Sequence, residues 1–169
     1  MTITATIISG GQTGADRAAL DFAIAHGIPH GGWCPLGRRA EDGVLDARYR
    51  LRETESRNYR QRTRRNVADS DATLILNLGE LADGSLATLH FAERANKPAR
   101  VVALDADGLA AEAARVRDWL AAHAVAVLNV GGPRESKRPG IYRKALVFLE
   151  ALHALPDGRS AQGGASFSR

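Results

Sequence analysis

The chain contains one cysteine, Cys34, so no intramolecular disulfide can form, and a cytoplasmic protein is expected. No apolar run reaches the roughly 18 residues of a membrane helix, so a membrane partner is not expected. The first residues lack the charged start and apolar middle of a signal peptide. Aromatic residues make up only 5%, which leaves few platforms on which the bases of single-stranded nucleic acid can stack. Histidines are scattered at His26, His30, His90, His123 and His153. None stands at zinc-ligand spacing from the cysteine or from another histidine, so no protein-held metal is expected. There is no Gly-x-Ser-x-Gly elbow and no evident pair of catalytic carboxylates. The first glycine loop also lacks the Gly-Lys-Ser/Thr ending of a nucleoside triphosphatase and departs from the Gly-x-Gly-x-x-Gly dinucleotide fingerprint.

What remains is a chain of 169 residues, 44% apolar and 25% charged, with a net charge of +4. That size and balance suit one globular domain, placed at residues 1–155. Residues 156–169 are rich in glycine and serine, have little to bury and are expected to be disordered. Short β-branched or apolar runs at residues 4–9, 73–78, 100–104 and 125–130 read as strands. Helical periodicity follows at 13–26, 57–69, 85–95, 109–123 and 141–155. Thr13 and Asp16 have capping-box spacing at the first helix, and Ser85 is placed to cap the third. A short strand is expected within residues 28–33, followed by a long loop-like stretch from 34 to 46. Alternating strands and helices imply an α/β, Rossmann-like fold with a mostly parallel sheet and helices on both faces.

Three of the strands run directly into glycine- or small-residue loops that precede helices. In a parallel sheet all three lie at the carboxyl edge, where open α/β sheets bind ligands. Gly10, Gly11, Gln12, Thr13 and Gly14 form the first. Gly84, Ser85 and Thr88 belong to the second. Gly132, Arg134 and Lys137 lie in the third. Glycines allow close backbone approach, helix starts offer free amides to anions, and the cations match phosphate. The alternative at each loop is turn or capping chemistry with no ligand. Arg62 and Asn66 share a helix face, directed either at this groove or at solvent. Eight arginines between Arg48 and Arg65 form either a phosphate- or nucleic-acid-attracting cluster or a solvated face.

Several ordered segments carry a family resemblance. They are Ser9-Gly10-Gly11-Gln12-Thr13-Gly14-Ala15-Asp16-Arg17, Gly32-Trp33-Cys34-Pro35, the set Arg62, Thr63, Asn66, Val67, Ser70 and Asp71, the run from Asn129 to Ser136, and Pro139-Gly140-Ile141-Tyr142. Together they resemble the molybdenum-carrier family, a circularly permuted branch of the SLOG nucleotide-binding superfamily, across about residues 3–155. The resemblance implies a Rossmann-like fold, a nucleotide-type ligand at the glycine loops and a role as carrier of the molybdenum cofactor (molybdopterin) or sensor of a nucleotide. It also makes a homodimer or higher oligomer an expectation. Related "lonely guy" phosphoribohydrolases use a glutamate after their glycine motif; Thr88 stands at that position here, so their hydrolysis is not carried over. A nucleotide-processing enzyme acting on a glycosidic or phosphate bond is the alternative, with Asp16, Asp71 and Glu135 as candidate acids or bases. Binding of single-stranded nucleic acid, as in the DNA-processing relatives, is the second alternative.

Overall fold

The computed structural model describes residues 3–156. Five strands form one parallel sheet: β1 (Thr6–Ile8), β2 (His30–Gly31), β7 (Ala72–Asn77), β8 (Ala99–Ala103) and β9 (Val127–Gly131), in the order β2-β1-β9-β7-β8. The helices are α1 (Ala15–Ala25), α2 (Tyr59–Ala68), α3 (Asp83–Arg94), α4 (Leu109–Ala122) and α5 (Ile141–Ala154). The α/β, Rossmann-like reading holds. The strand latest in the chain, β9, lies between β1 and β7, so the loops that follow these three strands are neighbours at the carboxyl edge.

The two faces of the sheet differ in chemistry. Side chains alternate along a strand, and Leu74, Leu76, Leu128, Val130 and Ile7 enter the main apolar cluster with α1, α4 and α5. Ala15, Ala18, Ala19 and Ala23 are fully buried on α1; their small side chains bring that helix close to the sheet and to α5. Thr73, Asn77 and Asn129 occupy the opposite parity, under α2 and α3, and are buried as well.

Residues 33–53 form a small lobe. β3 (Trp33–Cys34) pairs with β6 (Arg52–Glu53), and β4 (Arg39–Ala40) pairs with β5 (Gly43–Val44) as a hairpin. Leu20, Cys34, Leu45, Tyr49 and Leu51 make its separate apolar centre. The Arg38 guanidinium donates to the carbonyls of Leu45, Asp46, Tyr49 and Leu51, which ties an otherwise irregular segment together. The stretch expected as a loop is therefore a structured lobe. The expectation for residues 157–169 lies outside the described residues.

Both capping assignments are corrected. The residue before α1 is Gly14, with no side-chain cap, because Thr13 and Asp16 bond elsewhere. α3 begins two residues earlier than expected, after Ala82, so Ser85 sits inside its first turn.

Candidate functional site

A cavity of about 370 Å3 opens at the carboxyl edge between the sheet, α2 and α3. That lies within the roughly 300–1,000 Å3 of small-molecule sites. Its floor is Asn129, Gly131 and Asn77 from β9 and β7; α2 supplies Tyr59, Arg62 and Asn66; α3 supplies Gly84, Ser85 and Thr88. Five cations (Arg60, Arg62, Arg134, Lys137 and Arg138) face three carboxylates (Asp16, Glu80 and Asp83), which favours an anionic guest.

The amino end of α3 borders this cavity. No side chain caps it, and the first helical bond runs from the Leu86 amide to the Ala82 carbonyl. The amides of Asp83, Gly84 and Ser85 before it have no acceptor among the described residues. Such amides, with the helix dipole behind them, favour phosphate. Thr88 donates to the Gly84 carbonyl at 2.8 Å, so its hydroxyl already has an acceptor. Arg134 lies across the cavity, its guanidinium 5.6 Å from the Tyr59 ring centre. Lys137 is 3.8 Å from Asp83. Arg138 donates to the Leu78 and Glu80 carbonyls and fastens the second loop to the third.

The first glycine loop is arranged differently from the expected phosphate cradle. Its groups bond mainly to the protein itself. The Gln12 amide donates to Asp16, the Thr13 amide to the Gln12 side chain, and the Ala15 amide to the Pro133 carbonyl. Arg17 donates to the Gly11 carbonyl and, through two bonds of 2.9 and 3.0 Å, to Asp42. The Arg62 guanidinium lies against Gly10; a Cβ there would sit 1.7 Å from it, so Arg62 would have to shift from its place beside Asp16. Gly132 is needed for close packing, since its Cβ would come within 2.1 Å of the Leu76 carbonyl oxygen. Of this loop only Gly10 and Gln12 line the cavity; Gly11 faces Leu45 and Leu51, Gly14 packs on Pro133, and Thr13 bonds to Glu41 and accepts from the Glu135 amide.

Among the candidate acids, Asp16 alone reaches the cavity. It is 3% exposed and pairs with Arg62 at 2.9 Å. Burial pushes its carboxyl up from the usual carboxylate value, against the pull of the Arg62 charge and of the Gln12 and Gly132 amides. Asp71 stands at the other end of β7 and accepts from the Ala126 and Val127 amides; it clamps a strand end and has no access to the cavity. Glu135 accepts from the Gly140 and Tyr142 amides and caps α5. Among the described residues, no group of three or more His, Cys, Asp and Glu is arranged to hold a metal.

The arginines from 48 to 65 do not form one face. Arg60 and Arg62 line the cavity, Arg52 and Arg65 lie over the Trp33 ring at 5.4 and 4.6 Å from its centre, and Arg48 bonds to Tyr49. Sequence reasoning missed Tyr59, Asn77 and Asn129 as lining residues. The available signal was polar residues of one parity within otherwise apolar strands: Thr73 and Asn77 in β7, with Ile75 between them, and Asn129 in β9. No helix among the described residues is long and apolar enough to cross a membrane.

The model of the circularly permutated YpsA SLOG family matches residues 7–153. The chain is also similar to a crystal structure from Syntrophus aciditrophicus SB described as "Putative molybdenum carrier protein". Identity is 47%, the match covers 89% of this chain and 96% of the other, and the TM-score is 0.87. None of the curated proteins matches. With nearly all of the described residues matched, from β1 through α5, this chain belongs to the circularly permutated YpsA SLOG family.

Proposed function

We propose that the protein binds a phosphorylated small molecule in this cavity and serves as its carrier or sensor. The carrying observation is the uncapped amino end of α3 opening onto a polar chamber beside Arg134 and Lys137. The phosphate sits on the Asp83, Gly84 and Ser85 amides, and Arg134 and Lys137 neutralise its charge. Tyr59 offers a face to a planar ring. Both the molybdenum cofactor, a phosphorylated pterin, and a nucleotide have this shape. The described name of the crystallographic relative supports the first. The chamber residues fit a phosphate and a ring. They provide no cluster of metal ligands, so a bound metal would be held by the pterin itself.

Native mass spectrometry of freshly purified protein tests this reading by weighing whatever co-purifies and counting subunits together. Gly84→Leu is the sharper probe. A Cβ at Gly84 meets nothing within 4 Å, so the fold should tolerate the side chain while it covers the phosphate seat. Gly11, where a Cβ would come within 2.7 Å of Leu51, does not allow that separation. Unchanged phosphate-ester affinity in Gly84→Leu would sink the proposal.

A second reading, nucleotide hydrolysis, draws on one observation: a buried carboxyl, Asp16, in the cavity wall with its proton affinity raised. Chromatography of nucleoside monophosphates after incubation with the protein decides it. Released base that disappears in Asp16→Asn supports the enzyme, and no turnover removes it.

A further inference from the structure

Four carboxamides line the cavity: Gln12, Asn66, Asn77 and Asn129. Three have engaged NH2 groups. Asn66 donates to the Trp33 carbonyl, Asn77 to the Gly79 carbonyl and Asn129 to the Thr73 hydroxyl. Gln12 differs. Its Oε1 accepts from the amides of Thr13 at 3.0 Å and Glu41 at 2.8 Å, and two donors on one atom fix which end is oxygen. Its Nε2 is then left with no acceptor among the described residues, although Gln12 is only 5% exposed. Buried polar groups are rarely unpaired in a working protein, so such a donor calls for a partner from outside the chain.

The placement of that donor is held from a distance. Glu41, at the tip of the β4–β5 hairpin, accepts from the hydroxyls of Thr13 and Ser136 and from the Ser136 amide at 3.2 Å. Its side chain thereby pins the hairpin to the first and third loops, and its main-chain amide holds Gln12. Asp42 adds the paired bonds from Arg17. The first glycine loop is thus a mount for one side chain.

The sheet order sets what Gln12 can meet. It follows β1, whereas the α3 seat follows β7, and β9 lies between them. Two strand spacings separate the sites by on the order of 10 Å. A lone phosphate on α3 does not span that distance, but a phosphate joined to a heterocycle does. We infer that Gln12 is a specificity-determining residue, donating from Nε2 to an acceptor atom on the ring end of the bound molecule, and that Glu41 is a positioning residue acting through it. This rests on the phosphate reading of the cavity.

Calorimetric titration of the full chain tests it, with guanosine 5′-monophosphate and a 6-hydroxymethylpterin phosphate as ring-bearing probes and inorganic phosphate as the ringless one. Gln12→Glu keeps the oxygen that Thr13 and Glu41 bond to and replaces the donor by an acceptor. It should weaken the better ring-bearing probe more than 10-fold and inorganic phosphate far less. Gln12→Ala, free of the added charge, should weaken that probe about 5- to 10-fold, within the range of one lost hydrogen bond, and leave phosphate within 2-fold. Glu41→Ala should lose about as much as Gln12→Ala, and the double variant should be no weaker than Gln12→Ala. Glu41→Gln should recover part of the loss. Thermal melting of each variant checks the fold. If the wild-type protein binds the ring-bearing probes and both Gln12 variants bind them equally well, this inference is wrong and the phosphate reading stands. Additive losses in the double variant overturn the role given to Glu41. A wild-type protein that binds none of the three overturns both readings.

Discussion

The face of the sheet under α1, α4 and α5 is packed with leucine, valine and alanine, whereas the face under α2 and α3 carries Thr73, Asn77 and Asn129 and leaves a chamber. One face stabilises the molecule by removing apolar area from water. The other buries polar groups that gain nothing unless each is bonded. The contrast teaches that β7 and β9 serve two purposes at once, one on each side of the same backbone. Inward positions of α2 follow suit: Arg62 and Asn66 point at the chamber, and only Asn66 and Val67 of that helix are buried.

The contrast can be broken or sharpened by substitution. On the apolar face, Leu76→Ala at a fully buried site should cost about 2–5 kcal/mol in urea unfolding. On the polar face, Arg62→Met leaves the Asp16 carboxyl buried without its partner and should cost about 3–5 kcal/mol. Adding Asp16→Asn should restore most of that, because the uncompensated charge is then gone. A double variant as unstable as Arg62→Met would mean that Arg62 matters for packing, as on the apolar side. Asn77→Leu is the direct test of division of labour. It removes one bond, to the Gly79 carbonyl, and should change stability by no more than about 1 kcal/mol while abolishing binding of phosphorylated ligands. A large loss of stability with intact binding would reverse the assignment of that face.

The smallest effect expected is a pH dependence on the apolar side. His153 stacks edge-on to Phe22 and lies 4.4 Å, ring centre to ring centre, from His26, whose Nε2 meets Glu150 at 2.8 Å. Burial, then the His26 charge, holds the His153 imidazole below its ordinary value. The unfolded chain therefore takes up its proton first as pH falls, near the ordinary histidine value of about 6.5. The stability contributed by neutral His153 is complete above that pH and is lost as pH falls below it. Melting temperatures of the wild type should drop modestly between pH 7.5 and 5.5, and His153→Phe should flatten that drop. An identical slope in the variant would assign the effect elsewhere.

Much of this architecture was legible in the chain. Apolar runs located β7, β8 and β9, and alanine periodicity located α1, each within about two residues of its observed bounds. The small lobe was not legible. Two-residue strands have no period to read, and a guanidinium bonded to four carbonyls leaves no pattern beyond one arginine among many. The capping box at Thr13 and Asp16 had the right spacing, but both side chains were claimed by tertiary partners, Glu41 and Arg62. The same competition explains the first glycine loop, whose close backbone approach accommodates Arg62 at Gly10. From the second and third loops, Gly84, Ser85, Thr88, Gly132, Arg134 and Lys137 all border the cavity.

The position of β9 at the centre of the sheet also has a consequence for biosynthesis. A ribosome that has released residues 3–122 has made β1 and β7 but not the strand that joins them. Until β9 threads between the two halves, the chamber lacks its floor and α1 lacks its neighbour α5. The chamber is therefore completed only after β9 has been made, and a nonsense codon between residues 104 and 127 leaves the β1–β2 and β7–β8 pairs without the strand that joins them.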